Sequence, residues 1–402
     1  MGLMLGPQGG DDVLWLVIEE ETLHQTRTHR QKRQSGSPAG FAQFLVPEGV
    51  PEPVSMLGPD GVLSPGVKPG LGDEQVLEAL ALMRLSRAFD EKGFALQRQG
   101  RFGTFSPVRG QEASVVGAAA ALDPATDWVV PQYRELPALL RQGLPLETFM
   151  LYFMGHPQGG CIPDGINLLP IQISLAAQLP QAVGLAWGLR LQESSGVVMV
   201  FVGDGASSEG DFHESLNLAG VVNAPVVFIL QNNGWAISTP RGRQSRARTL
   251  AERAPGYGMP GVFVDGNDLF AVHAVVSEAV ARARAGGGPT LVESLTYRVG
   301  AHNTADDPSR YVDDAVAAEW QERDPIKRVE AYLESRGLWD AARSEALSLE
   351  HTAEIERALA AALAVPRAGA SALFDHVYAQ PPTRLLQQQS EWAERSGEGL
   401  QR

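Results

Sequence analysis

The sequence predicts an α/β protein built on a doubly wound, mainly parallel sheet with added helices. Three observations predict it. Apolar runs at residues 198–202 and 225–230 flank a helical stretch at 208–222, and strand–helix–strand in that space is a βαβ unit with parallel strands. The alternation recurs, with a strand at 261–264, a helix at 269–285 and a strand at 290–299. Gly203-Asp204-Gly205 and Asn232-Asn233 close the first two strands, at the edge where open α/β sheets bind ligands.

The elements follow in order. Residues 1–10 are glycine-rich, 13–18 form a brief apolar run, and 22–37 are polar and basic. A signal peptide places its charge before its apolar run. This segment therefore reads as disordered, or as an over-called start of translation, and not as a targeting signal. Pro47, Pro51, Pro53, Pro59, Pro65 and Pro69 predict an extended arm up to Gly70. Residues 73–99 set Val76, Leu80 and Met83 on one helical face. Residues 111–122 are rich in alanine and glycine, which permits close helix packing. A short strand at 128–130 ends in Pro131-Gln132-Tyr133-Arg134-Glu135. Residues 136–155 read as helix, 155–173 as a loop and 179–192 as helix, and the βαβ unit follows. Residues 239–253 are polar and carry five arginines. Arg298 stands at the end of the 290–299 strand, and 300–311 is a polar loop. Residues 315–363 are helical in pattern, and the end of the chain reads as a polar tail. The expected division is a disordered segment and arm at 1–70, one α/β domain at 71–380 and a tail at 381–402.

Composition narrows the class. A chain of 402 residues with 44% hydrophobic and 20% charged residues supports a sizeable globular core. A net charge of −14 argues against a nucleic-acid or anionic-membrane surface. A single cysteine, Cys161, excludes an intrachain disulfide and fits a reducing compartment, so a cytoplasmic location is expected. No apolar stretch approaches the roughly 18 residues of a membrane span.

The chemistry at the strand ends is readable. Asp204 offers a hard anionic oxygen and Asn233 a neutral one. Magnesium takes about six oxygens, few of them from protein, with phosphates completing the shell. Gly205 and Ala206 lead into a helix whose free N–H groups suit a phosphate. Ser208 is the expected helix cap, with Asp211 as its capping-box partner. The implied ligand is a diphosphate held through a divalent cation. Gly-Asp-Gly alone is commonly just a turn. The Asn-Asn pair closing the next strand gives it meaning.

Other residues fall around this edge. Tyr133 and Arg134 follow a strand, and a guanidinium matches phosphate geometry. Arg298 and His302 leave another strand end. His302 stands out among eight histidines because no helix or strand periodicity accounts for it. His213 is expected to pack within its helix. Asp306 and Asp307 read as loop caps ion-paired with Arg310. Cys161 and His156 read as incidental neighbours.

Taken together, these segments resemble the alpha subunit of the thiamin-diphosphate-dependent decarboxylating component of a 2-oxo acid dehydrogenase complex, over roughly residues 70–345. The motifs are Gly110-Gln111-Glu112, Gln132-Tyr133-Arg134-Glu135, the Gly-Asp-Gly to Asn-Asn unit, Val264-Asp265-Gly266-Asn267-Asp268, and Tyr297-Arg298 through His302 to Asp306-Asp307. The resemblance implies a thiamin-diphosphate-binding fold. It implies that Asp204, Asn233 and the Trp235 carbonyl bind Mg2+. Tyr133, Arg134, Gly203, Gly205, Ala206 and Arg298 would hold the diphosphate. Ile173 and Leu175 would line the aminopyrimidine, and His302 would assist acyl transfer to a lipoyl group.

The implied partners are a beta subunit in an α2β2 assembly and a lipoyl-bearing acyltransferase core. The beta subunit supplies the carboxylate that activates the cofactor, a role Glu112 of this chain does not take. The pattern also has departures. Asn303 replaces a phosphorylatable serine of mammalian relatives. Gln172 and Ala177 replace hydroxyl residues of a potassium site, and Ser106 replaces a histidine of some pyruvate enzymes. Residues 160–170 look more like pyruvate-type subunits, and 233–240 with 264–268 like branched-chain ones. The balance leans slightly to pyruvate, with branched-chain 2-oxo acids and acetoin as alternative substrates, and a non-catalytic diphosphate-binding subunit is the alternative class.

Overall fold

The computed structural model describes residues 49–375 and 377–396, so the segment 1–40 and Pro47 lie outside the described residues. Helices α1 (Asp73–Arg98) and α2 (Glu112–Ala119) precede strand β1 (Trp128–Val130). Helices α3 (Leu136–Arg141), α4 (Leu146–Phe153) and α5 (Gln178–Leu191) lead to β2 (Val198–Gly203). Helix α6 (Gly210–Val221) connects β2 to β3 (Val226–Asn232). A short hairpin of β4 (Trp235–Ala236) and β5 (Thr239–Pro240) follows, then β6 (Gly261–Asp265), α7 (Leu269–Arg284) and β7 (Thr290–Leu295). Helices α8 (Asp314–Gln321), α9 (Pro325–Ser335), α10 (Ala341–Ala364) and α11 (Thr383–Ser396) complete the described chain.

The sheet has five strands in the order β1-β2-β3-β7-β6, and every pair in it is parallel. The register aligns Gly203 with Gln231, Asn232 with Leu295 and Asp265 with Leu295. The carboxyl ends of β2, β3, β6 and β7 therefore share one edge.

The period-2 alternation of each strand decides which helices cover which face. Met199, Phe201, Val227, Ile229 and Val292 face a layer containing Val115 and Ala118 of α2 and Val272, Val275 and Val276 of α7. Val198, Val200, Val202, Val226, Phe228 and Leu230 face Leu179, Ala182 and Val183 of α5 and Phe212 and Leu216 of α6. Each valine, leucine, isoleucine, methionine or phenylalanine among them stabilises the fold by roughly 1.5–3 kcal/mol on burial. The glycine of α2 lets it approach α7 closely, since a Cβ on Gly117 would lie 3.0 Å from Val272.

The proline-rich arm is pinned, not loose. Val54 bridges Val264. Asp268, which caps α7 by accepting from Phe270 and Ala271, also accepts from the Met56 and Leu57 amides at 2.6 Å and from the Ser55 hydroxyl at 3.1 Å. The Val264–Asp268 motif is thus architectural. Gly266 has no room for a side chain beneath Ser294 and Leu295, and Asn267 ties Thr296 to Arg323.

Several expectations need correction. The 136–155 helix breaks in two at Gly143, whose φ of 105° lies in the left-handed region. The 290–299 strand stops at Leu295, so Arg298 sits in the following segment. The 381–402 polar tail contains α11. After Tyr311 the described residues contain no strand. Among them, no helix is long and apolar enough to cross a membrane.

Candidate active site at the carboxyl edge of the sheet

Asp204 follows β2 and is 2% exposed. Its Oδ1 accepts the Asn233 amide N–H at 3.3 Å, and its Oδ2 is buried with no hydrogen-bond partner. Burial pushes its carboxyl up to about 6, against the pull of the Asn233 amide. Asn233, just beyond β3, donates to Gln111 at 3.3 Å and accepts the Trp235 amide at 3.2 Å.

The residues after Asp204 form a 3-10 turn, Gly205–Ser208, before α6 begins. Ser208 does not cap α6 and the expected capping box with Asp211 is absent, because Glu209 occupies the cap position. Ser208 points to Gln244 instead. Ser207 stabilises the turn by donating to the Asp204 carbonyl at 2.7 Å, and Arg253 donates to the Ser207 carbonyl at 2.8 Å. A Cβ on Gly205 would lie 2.7 Å from that of Ala236, so the β4–β5 hairpin closes directly on the turn. Ala206 is buried, and Gly203 donates its amide to Gln132 at 3.2 Å.

The Gln132–Glu135 motif folds back on itself. The Glu135 carboxylate accepts the Gln132 and Arg134 amides at 2.9 and 3.0 Å, and burial pushes its carboxyl up to about 7. The turn sends the buried Arg134 side chain to His302. Its Nη2 donates to His302 Nδ1 at 2.9 Å and to the His302 carbonyl at 2.7 Å, while Nη1 donates to the Pro107 carbonyl at 2.7 Å. The Tyr133 ring stands edge-on to the imidazole, with centroids 6.3 Å apart.

Arg298 completes the cluster. Its Nη1 is 3.3 Å from His302 Nδ1, and its Nη2 donates to Tyr311 at 2.7 Å and to the Ile237 carbonyl at 2.8 Å. Arginine only donates, so Nδ1 accepts and the His302 proton sits on Nε2. Burial, then Arg134 and Arg298, lower the His302 pKa to about 3. Asp306 accepts the His302 amide at 2.6 Å and the Tyr311 hydroxyl. Those bonds, with the Arg298 charge, outweigh burial and hold its carboxyl below the usual range. Arg310 is therefore not the partner expected for Asp306, and Asp307 caps the turn Pro308–Arg310. His213 pairs with the Tyr257 hydroxyl at 2.5 Å, away from this cluster.

The structure thus gathers Asp204, Gly203, Gly205, Ala206, Asn233 and Trp235 beside Tyr133, Arg134, Arg298 and His302. Arg298 is close enough to Asp204 to stabilise its charge. Ile173 and Leu175 are 55% and 42% exposed, on a segment tied to the motif by the Gln172 amide, which donates to the Gln132 carbonyl at 3.0 Å. The sequence motifs contain Gln111 and Gln132 but assign them no role, and sequence reasoning does not single out Glu293 or Arg241. Glu293 carried a signal, being a lone acid inside an apolar strand pattern.

The donor set fits a metal-bound diphosphate. Asp204 Oδ2 is a buried acceptor with no hydrogen-bond partner among the described residues, and a cation would satisfy it. Gln111 Nε2, Gln132 Nε2, Gln231 Nε2 and Arg298 Nε are buried donors with no acceptor. Buried polar atoms in native folds are nearly always matched. Among the described residues no three His, Cys, Asp or Glu side chains gather as a metal cluster, so a cation here would complete its shell from amide, carbonyl, water and phosphate oxygens.

Residues 80–371 match the dehydrogenase E1 component family, and the chain belongs to it. Within that family it is similar to the pyruvate dehydrogenase E1 component subunit alpha of Staphylococcus epidermidis, at 41% identity over 84% of this chain and 91% of that protein. The same subunit of Staphylococcus aureus strain Mu50 is 40% identical over the same shares. These likenesses support the class read from the motifs, the alpha subunit of a thiamin-diphosphate-dependent 2-oxo acid dehydrogenase.

Proposed function

We propose that this chain holds Mg2+ and thiamin diphosphate at the carboxyl edge of its sheet, and that with a beta subunit it decarboxylates pyruvate and passes the acyl group to a lipoyl domain. The observation that carries the reading is the buried, unpartnered Asp204 Oδ2 amid buried donors that lack acceptors. Asp204, Asn233 and the Trp235 carbonyl would hold the cation. Tyr133, Arg134, Arg298, Gly203, Gly205 and Ala206 would hold the diphosphate. When bound, the cofactor would supply a nucleophilic ring carbon and a cationic thiazolium ring that takes up the electron pair released on decarboxylation.

The residues of the chain orient and protonate. His302 is neutral, with Nδ1 fixed by two guanidinium groups, so its Nε2–H is a donor directed by those contacts. That donor suits assistance of acyl transfer to a lipoyl sulfur. Ile173 and Leu175 are exposed, and a beta subunit over them would complete the aminopyrimidine pocket and add the activating carboxylate. Trp187 and Leu191 of α5 and Leu218 and Val221 of α6 are further exposed apolar residues that favour such a partner in an α2β2 assembly.

Pyruvate is favoured by residues 160–170 and by the pyruvate enzymes among the relatives. The branched-chain likeness of residues 264–268 weighs little, because that segment pins the arm and caps α7.

Co-expression with the beta subunit tests the reading. The wild-type complex is expected to turn over pyruvate faster than 3-methyl-2-oxobutanoate, and Asp204→Ala to lose magnesium-dependent cofactor binding. Unchanged cofactor affinity in Asp204→Ala would refute the site. Turnover of neither acid by a cofactor-loaded complex would favour acetoin cleavage or a non-catalytic subunit. His302→Ala should spare decarboxylation more than lipoyl acylation.

A further inference from the structure

The five arginines of residues 239–253 divide in the folded chain. Arg243, Arg246 and Arg248 are exposed. Arg253 holds Ser207 and lies over the Phe212 ring. Arg241 differs from all of them. It is 1% exposed, and none of its three guanidinium nitrogens has a hydrogen-bond partner.

The backbone explains its placement. Strand β5 returns antiparallel along β4, and the Arg241 amide donates to the Gly234 carbonyl at 2.9 Å. Its own carbonyl accepts from the Gln244 and Ser245 amides at 2.9 and 3.2 Å. The residue is therefore tied to the segment that carries Asn233 and Trp235. The same hairpin packs its Ala236 on Gly205.

A buried guanidinium persists in a fold where an anion meets it. Its acidic neighbours are, in order of influence, Glu293, Asp204 and Glu252. Glu293 is already engaged, by Asn232 at 2.7 Å and the Ala251 amide at 2.8 Å. Glu252 binds Arg248. Asp204 Oδ1 accepts from Asn233, and its Oδ2 is the atom left open. None of the three hydrogen-bonds Arg241. A cation on Asp204 would neutralise that carboxylate and leave Arg241 with still less compensation, so the missing anion must accompany the cation.

We propose that Arg241 is a further phosphate-binding residue of this site, reaching the diphosphate from the hairpin after β3, whereas Arg134 and Arg298 reach it from beyond β1 and β7. This rests on the thiamin-diphosphate reading above. It has a distinguishing consequence. Arg241 repels a bare divalent cation and attracts a diphosphate, so its removal moves the two affinities in opposite directions. A purely structural arginine would move both the same way or neither.

The test uses the co-expressed complex, with Mn2+ alone followed by electron paramagnetic resonance and Mg2+-pyrophosphate followed by calorimetry. Arg241→Gln is expected to weaken pyrophosphate binding about 10-fold or more and to tighten Mn2+ binding. Arg241→Lys should fall between Arg241→Gln and wild type, and it decides the matter by the same titration if Arg241→Gln does not fold. Wild-type pyrophosphate affinity in either variant overturns the role. A crystal structure of the unmodified complex with Mg2+-pyrophosphate decides independently: a guanidinium nitrogen within hydrogen-bond distance of a phosphate oxygen supports it, and a direct pair with Glu293 without phosphate contact overturns it. Asp204→Ala separates the failures. Loss of pyrophosphate there with retention in Arg241→Gln sinks Arg241 alone, whereas retention in both sinks the cofactor reading.

Discussion

Arg134 binds His302 twice through one nitrogen, donating from Nη2 to the ring Nδ1 at 2.9 Å and to the carbonyl at 2.7 Å. Ring orientation and backbone position are thus set by the same guanidinium, and Arg298 adds a second cation on Nδ1 at 3.3 Å. Two positive groups at one ring nitrogen leave no place for a third charge.

The first prediction concerns that charge. Without cofactor, His302 should stay neutral from neutral pH down to about 3. Arg134→Gln should raise its pKa, read by NMR of labelled histidine. The sign of the stability effect follows from linkage. Between its unfolded value of 6.5 and about 3, the unfolded chain holds a proton that the folded chain lacks. Stability therefore falls on acidification through that window, by up to about 1.4 kcal/mol per pH unit. Asp204, raised from 3.8 to about 6, acts oppositely, because its folded form takes the proton first. His302→Ala removes only the destabilising contribution, so its acid limb should be shallower than that of wild type. An identical or steeper limb would contradict the charge assignment.

Asp204→Asn isolates the cost of the orphan oxygen. The carboxylate is buried and only Oδ1 is bonded. Replacing it with a neutral amide should leave the ligand-free melting temperature equal or higher. Mg2+-dependent thiamin diphosphate binding should weaken about 100-fold, or about 2.7 kcal/mol. In wild type, cation-dependent binding should decline as pH falls through about 6, as Asp204 protonates. A lower melting temperature in Asp204→Asn would indicate a structural carboxylate.

Gly205→Ala tests the closure of the hairpin on the turn. The new methyl would sit 2.7 Å from the Ala236 Cβ and 3.2 Å from its Cα, so the hairpin must shift. Cofactor binding should weaken about 10-fold, and Ala236→Gly in the same chain should recover most of it. No recovery would mean that the contact does not carry the effect.

The sheet and Asp204 with Asn233 were legible because apolar periodicity locates strands and a lone acid or amide at a strand end has few structural uses. The limits lay where partners decide. The apolar run of β3 stops at Leu230, but its ladder with β7 continues through the polar Gln231 and Asn232, so the Asn-Asn pair closes the strand as the motif implies. Strand β7 was expected to reach 299, yet its pairing with β6 stops at Leu295. The Arg134–His302 contact spans 168 residues, and no local pattern encodes it. Arg241 is one of five arginines in a polar stretch, and its burial just after the β4–β5 hairpin has no periodicity to single it out. Val264–Asp268 drew notice as a family motif, and its work is to hold the arm.

That last role makes a prediction far from the chemistry. Asp268 is fully buried and accepts from five donors, Met56, Leu57, Ser55, Phe270 and Ala271. Asp268→Ala removes an N-cap and leaves two arm amides without their acceptor, a loss of about 3 kcal/mol. Asp268→Asn keeps one accepting oxygen and should fall between. Chemical denaturation measures the loss, and limited proteolysis should show faster cleavage within residues 51–70. Equal stability with unchanged cleavage would mean that Val54–Val264 pairing and the packing of Leu57 hold the arm unaided.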